Sequence, residues 1–224
     1  NVDNIRYLEF TGGEPFMIKE HFNFLETLVE KGVAGNIEIH YNTNGTKFPD
    51  AKAIWKHFKL VEIAFSIDDV DERFEYQRKN AHWSEVNENI GKFKELKQEL
   101  GNIVLQVCST VNVFNVLYLE KLSHWIDEQD FDFVYWNMLH EIEYNCVANM
   151  CDELKALAVD TLEQIPQTNK HKKEFNRVIT FINQGKRNHS TRELLANIKK
   201  FDNIRAEVLS DHHQELAEAI GYET

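Results

Sequence analysis

The stretch Leu8-Glu9-Phe10-Thr11-Gly12-Gly13-Glu14-Pro15 decides the fold. Apolar and polar residues alternate ahead of two glycines, which predicts a β-strand that ends in a tight turn. Because glycine has no Cβ, the backbone can bend sharply there and a ligand can approach its peptide groups. Pro15 favours an extended Glu14, and a helix is predicted from about Lys19. Such a strand end is where α/β proteins bind ligands, although a plain βα turn has the same pattern.

The first two thirds of the chain repeat this order of strand and helix. Strands separated by amphipathic helices predict parallel pairing with right-handed crossovers, so the expected fold class is α/β. After about Cys146 the strand pattern stops, and the tail predicts only helices, one of them with Ser190 as N-cap. We therefore expect an α/β body at residues 1–145 and a helical region at 146–224. The predicted strands are Ile5–Thr11, Ile37–Asn42, Leu60–Ile67, Ile103–Val111 and Phe131–Trp136, and the tail helices are 152–165, 172–184, 190–209 and 212–220.

The composition excludes several classes of protein. The chain of 224 residues carries 37 acidic and 25 basic side chains, a poor match for the phosphate backbone of nucleic acids. Three cysteines are too few for a disulfide framework in a chain of this size, which favours a reducing cytoplasm. No apolar run approaches the roughly 20 residues of a membrane span, and we expect no signal peptide. Since the sequence starts with Asn1, we expect the protein to extend further toward its N-terminus.

Polar residues also follow the other predicted strands. The second strand leads into Thr43-Asn44-Gly45, the third into Ser66-Ile67-Asp68, and the fourth into Thr110-Val111-Asn112. Each motif alone is a weak signal, because turns are polar in any case. Parallel strands end at the same edge of a sheet, so together these motifs predict one ligand site at that edge.

These motifs resemble those of the radical S-adenosylmethionine (SAM) superfamily. The resemblance implies a partial parallel (β/α) barrel with five of the six strands of that fold, and it is strongest over residues 5–115. The segments Tyr144-Asn145 … Glu153-Leu154-Lys155 and Phe201–Arg205 are similar to the tail of twitch-domain members, although Met150-Cys151-Asp152 departs from their pattern. The implied cofactors are SAM and a 4Fe–4S cluster.

The resemblance assigns a role to each motif residue. The turn holds the amino group of the methionine moiety through its backbone, and the third-strand residues face the ribose and the carboxylate. An arginine after that strand can pair with the carboxylate, and a zwitterionic nucleoside requires such acceptors, donors and a cation. The implied cofactor-binding residues are Gly12, Gly13, Glu14, Pro15, Thr43, Asn44, Ser66, Asp68, Arg78 and Asn112.

The cysteines depart from the superfamily pattern. That superfamily binds its cluster through a Cys-x3-Cys-x2-Cys loop after the first strand, and this sequence has no such loop. Cys146 and Cys151 have the wrong spacing and position, so ordinary thiols are favoured over ligands of an auxiliary cluster. Cys108 is expected in the core. The resemblance implies that the loop lies upstream of residue 1, and that this chain alone does not cleave SAM.

In the complete enzyme that the resemblance implies, a 5′-deoxyadenosyl radical abstracts hydrogen from a peptide or small-molecule substrate. The expected electron donor is a flavodoxin or a ferredoxin. A degenerate homologue that binds SAM or a partner without a cluster stays open. A metal-dependent barrel enzyme that uses His40, Asp68 and Asp69 is a weaker alternative, and no zinc-hydrolase spacing of histidines is present. The resemblance also implies that strand Ile5–Thr11 has an unpaired edge, which is an aggregation hazard.

Overall fold

The computed structural model describes residues 2–141, 143–185 and 191–223. Five parallel strands form one sheet in the order β1-β2-β3-β4-β5, and helices connect them. This confirms the predicted α/β, partial-barrel fold class. The strands are β1 (Tyr7–Phe10), β2 (Glu38–Thr43), β3 (Leu60–Ser66), β4 (Ile103–Val111) and β5 (Phe133–Met138).

Helices account for most of the remaining described residues. Two short ones, α2 and α3, follow the turns after β2 and β3 and were not predicted. The helices are α1 (Lys19–Glu30), α2 (Lys52–Trp55), α3 (Asp71–Gln77), α4 (Trp83–Leu100), α5 (Leu119–Gln129), α6 (Asp152–Gln164), α7 (Lys172–Gln184), α8 (Thr191–Arg205), α9 (Leu209–His212) and α10 (Gln214–Ala219).

The chain forms two compact units, each with its own core. The first unit comprises residues 1–67, 81–108 and 130–135, and the second comprises 68–80, 109–129 and 136–224. In the first unit, the rings of Phe16, Tyr41, Trp55 and Phe93 contact one another with centroids 4.9–6.4 Å apart. All four are buried, and burial of such large rings is the main stabilising contribution to a core. The predicted boundary at residue 145 stays a prediction.

The second unit is mainly helical. Trp136 of β5 contacts Phe175 of α7 with a centroid distance of 5.3 Å, and its indole Nε1 donates to Nδ1 of His171 at 3.1 Å. Leu154 and Leu162 of α6 are fully or almost fully buried, as their spacing along one helix face predicts.

The tail helices differ from the predicted elements in two places. The single helix predicted over 212–220 is replaced by the short helices α9 and α10, because His213 between them, at φ −131° and ψ 66°, interrupts the helical backbone. Helix α8 ends at Arg205 instead of residue 209, and Ser190, the predicted N-cap, lies outside the described residues. Strand β1 lies at an edge of the described sheet. Within the described ranges, no helix combines the length and the apolar composition that spanning a bilayer requires.

Candidate functional site

The Glu14 carboxylate joins the turns after β1 and β2. It accepts hydrogen bonds from the Thr43 hydroxyl at 2.8 Å, from the backbone N–H of Asn44 at 2.9 Å, and from the backbone N–H of Phe16 at 3.2 Å. Glu14 is 9% exposed, so these bonds replace most of its hydration. Its side chain therefore forms its hydrogen bonds within the protein and fixes the direction of both turns.

The two glycines before it keep the turn open. Gly12 and Gly13 have φ angles of +83° and +61°, in the left-handed region that favours glycine. Both are exposed, and a Cβ built on either would meet nothing within 4 Å. Backbone groups at this turn are accessible to a ligand, as the motif predicted. Pro15 is buried and starts a short 3₁₀ helix, Pro15–Met17.

The turn after β2 is held by its own side chains. The Thr43 hydroxyl accepts from the N–H of Gly45 at 3.1 Å, and Asn44 Oδ1 accepts from the N–H of Thr46 at 2.9 Å. Asn89 of α4 donates to the carbonyl of Gly45 at 2.9 Å. Thr43 and Asn44 thus form hydrogen bonds within the turn after β2, and the Glu14 carboxylate bonds both residues to the turn after β1.

Asp68 and Arg78 form an ion pair with each other, whereas the resemblance implied that Arg78 pairs with the carboxylate of SAM. Nη2 of Arg78 donates to Oδ2 of Asp68 at 2.6 Å, and the N–H of Thr110 donates to Oδ1 at 2.8 Å. Asn115 donates to the backbone carbonyl of Asp68 at 2.8 Å. The arginine charge is therefore balanced by a carboxylate whose two oxygens both have partners.

Asn112 organises the turn after β4. Its Nδ2 donates to Oε1 of Gln77 at 3.2 Å and to the carbonyl of Thr110 at 3.1 Å, while its Oδ1 accepts from the N–H of Phe114 at 2.8 Å. The backbone N–H of Asn112 donates to Oδ1 of Asn115 at 2.8 Å. Gln77 was missed in the sequence, because an isolated glutamine at the end of a helix carries no motif.

These residues line a cavity of about 370 Å³ within the second unit. This volume lies within the range of about 300–1,000 Å³ that small-molecule pockets occupy. Two buried atoms of its lining have no hydrogen-bond partner among the described residues, namely Nε of Arg78 and Oδ1 of Asn145. Buried polar atoms are almost always paired, so an unmet donor and an unmet acceptor fit a polar ligand. The lining comprises Asp68, Arg78 and Asn112 with Tyr76, Gln77, Phe114, Leu139, Tyr144, Asn145, Asn197, Ile198, Phe201 and Arg205.

Tyr76 contributes a neutral ring to this lining. Burial raises the pKa of Tyr76 far above its usual value, and its hydrogen bond to Asp202, at 2.8 Å, raises it further. The hydroxyl is committed to that carboxylate, so the ring serves as an apolar wall and not as an acid or base.

The structure thus groups the predicted site residues into two sets. Glu14, Thr43 and Asn44 share one hydrogen-bond cluster in the first unit, and Asp68, Arg78 and Asn112 line one cavity in the second. Ser66 ends β3, with its Cα paired in register to Cys108. That Gly13, Thr43, Ser66 and Asp68 surround a single ligand stays a prediction.

The cysteines present do not fit an iron–sulfur cluster. Cys146 is buried, Cys108 and Cys151 are partly exposed, and all three are free thiols. In the described part of the chain, no group of three or more His, Cys, Asp or Glu side chains could hold a metal ion. His40 pairs with Glu62 at 3.1 Å, so the metal-dependent alternative gains no support.

One family model matches the N-terminal part of the sequence. Residues 1–107 match the family model described as Radical SAM superfamily. Over this segment, the chain is therefore similar to the radical SAM superfamily. No curated protein matched the sequence.

Two solved structures of one protein are similar to this chain. Native anSMEcpe with bound AdoMet (SAM) has a TM-score of 0.50 and 19% identity over 92% of this chain and 50% of its own. Histidine-tagged anSMEcpe with bound AdoMet has a TM-score of 0.49 and 20% identity over 70% of this chain and 44% of its own. The chain thus spans about half the length of the structures it matches. At this identity, the first structure shows a shared fold and nothing more.

Proposed function

We propose that this chain is the SAM-binding part of a radical SAM enzyme and that SAM binds in the cavity of the second unit. The observation that carries the proposal is the cavity lined by Asp68, Arg78 and Asn112, with unmet polar atoms on its wall. SAM offers hydroxyls and an amino-acid group to such atoms, and its adenine suits the apolar side chains of Phe114 and Leu139.

The turns of the first unit are a separate expectation of the resemblance. In the superfamily, the backbone of the turn that Gly12, Gly13 and Glu14 resemble takes the methionine amino group. The Glu14 side chain supports that role because it holds the turn after β1 in one conformation. A pre-organised backbone lowers the entropic cost of binding.

Reductive cleavage of SAM requires an iron–sulfur cluster, which these cysteines do not fit. We therefore expect the polypeptide of these 224 residues to bind SAM without cleaving it. In the enzyme as a whole, the cluster is proposed to be held by a Cys-x3-Cys-x2-Cys loop outside this sequence. A cytoplasmic flavodoxin or ferredoxin as electron donor, and a peptide or small molecule as substrate, belong to the same proposal.

Titration calorimetry with SAM tests the proposal. The chain is expected to bind SAM, and a variant with Ser66→Ala and Asp68→Ala is expected to lose that binding. Ser84→Ala with Glu85→Ala, which changes an exposed serine and a half-exposed glutamate on α4, is the matched control. Unchanged affinity in the first double variant, or no binding by the wild-type chain, would overturn the proposal.

A further inference from the structure

We propose that Arg205 of helix α8 binds the carboxylate of SAM, so that the helical tail supplies part of the ligand site. The inference rests on the proposed function and changes one assignment, since the superfamily resemblance gives the carboxylate to Arg78. Three observations support it: the fixed position of Arg205, the net charge of the cavity lining, and the ion pair that Arg78 already forms with Asp68.

Arg205 is held in place at the cavity wall. Its Nη1 donates to the backbone carbonyl of Tyr76 at 3.0 Å, and its guanidinium carbon lies 5.5 Å from the ring centroid of Phe201. The side chain is half-buried and lines the cavity together with Asn197 and Ile198 of the same helix. A guanidinium fixed in this way loses little entropy when it binds a planar carboxylate.

The charge of the cavity is unbalanced. Among the described lining residues, the charged side chains are Asp68, Arg78 and Arg205, which sum to one positive charge. The whole chain, by contrast, carries a formal net charge of −12. No described carboxylate forms a salt bridge with Arg205, so its remaining donors are available to an anionic group.

Arg78 is the weaker host for a carboxylate. It is already paired with Asp68 at 2.6 Å, and a second carboxylate at this position would approach the first. Two like charges about 4 Å apart repel each other by several kcal/mol at the effective dielectric constant of a protein surface. The unmet Nε–H of Arg78 instead suits a neutral oxygen, such as a ribose hydroxyl, which carries no such penalty.

The test compares SAM with decarboxylated SAM, which keeps the sulfonium and the amine but lacks the carboxylate. Calorimetric affinities are measured for the wild-type chain, Arg205→Gln, Arg205→Lys and the control Arg192→Gln, an exposed arginine on the same helix. Arg205→Gln is expected to weaken SAM binding by roughly 10- to 100-fold and to leave decarboxylated SAM unchanged. Arg205→Lys keeps the charge and is expected to keep part of the preference for SAM, and Arg192→Gln is expected to change neither affinity.

Each outcome is distinguishable. Equal weakening of both ligands by Arg205→Gln would mean a structural role and would overturn the inference alone, as would no effect on either ligand. If Arg205→Gln does not fold, a lysine variant that weakens SAM and decarboxylated SAM equally overturns the inference. A wild-type chain that binds neither ligand would overturn the proposed function and this inference together.

Discussion

At the residue scale, Glu14 shows how one side chain can join two turns of the sheet. Its carboxylate accepts three hydrogen bonds, two of which come from the turn after β2. Glu14→Gln places an amide N–H opposite one of these donors. We expect the free energy of unfolding to fall by about 1–3 kcal/mol, because a buried donor loses its acceptor.

Urea denaturation measures this loss. Glu30→Gln, at the exposed end of α1, is the control and is expected to change the free energy of unfolding by less than about 0.5 kcal/mol. Equal stabilities for the two variants would contradict the role given to Glu14.

His213 predicts how stability depends on pH. It is fully buried among the rings of Tyr76, Phe114 and Tyr118, and burial, reinforced by nearby positive charges, lowers its pKa to about 3. Below pH 6.5 the unfolded chain binds a proton that the folded chain does not, so this stabilisation is lost as pH falls. The loss amounts to about 2–3 kcal/mol between pH 6.5 and pH 4.5.

His213→Leu isolates this contribution. Asp69 has the opposite effect on the pH dependence of stability, because burial raises its pKa to about 6 and the folded chain then binds the proton more tightly between pH 6 and pH 3.8. Both proteins contain Asp69, so its effect cancels when their stabilities are subtracted. We therefore expect the unfolding free energy of wild type minus that of the variant to decrease by about 2–3 kcal/mol over the same pH range. Exposed His124, changed to Gln, is the control. A difference that does not vary with pH would contradict the buried, neutral histidine.

At the element scale, the turn after β2 depends on Gly45. Its φ is +77°, and an added Cβ would lie 3.0 Å from Cγ1 of Val86. Gly101, the C-cap of α4, has φ +72° and open space around it. Both Gly→Ala variants incur the cost of a positive φ, about 1 kcal/mol, and only Gly45→Ala adds a steric contact.

Thermal unfolding should therefore rank the two variants. We expect Gly45→Ala to be the less stable by about 1 kcal/mol or more, because the Val86 side chain must shift. The reverse order would mean that the turn is less tightly packed than the structure indicates.

The elements themselves were largely predictable from the sequence. The sequence placed β4 and α7 at their observed bounds, because alternating and amphipathic patterns depend directly on which face is buried. The short α2 and α3 carry too few residues for a periodic signal. The break at His213 was also missed, because tertiary packing of a histidine among aromatic rings has no local sequence signature.

The candidate site was predictable only in part. Asp68 and Asn112 follow from their places after the strands, where parallel topology brings polar residues together, and Arg78 was implied only by the resemblance. Gln77, Asn145 and Arg205 come from helix ends and the tail, so only the folded chain shows that they line the same cavity.

At the scale of the whole molecule, the number and positions of the cysteines predict that this chain does not bind a 4Fe–4S cluster. Anaerobic reconstitution with iron and sulfide should leave the 224-residue chain without a 4Fe–4S cluster, since the cysteines do not fit one. Iron and sulfide analysis checks this. Stoichiometric cluster that is lost in Cys146→Ala with Cys151→Ala would contradict it and would assign those cysteines to an auxiliary cluster.

The most direct test of the central claim is a crystal structure of the chain with SAM. We predict that SAM occupies the cavity of the second unit, in contact with Arg78, Asn145 and Arg205. SAM bound elsewhere on the chain, with this cavity empty, would contradict the account.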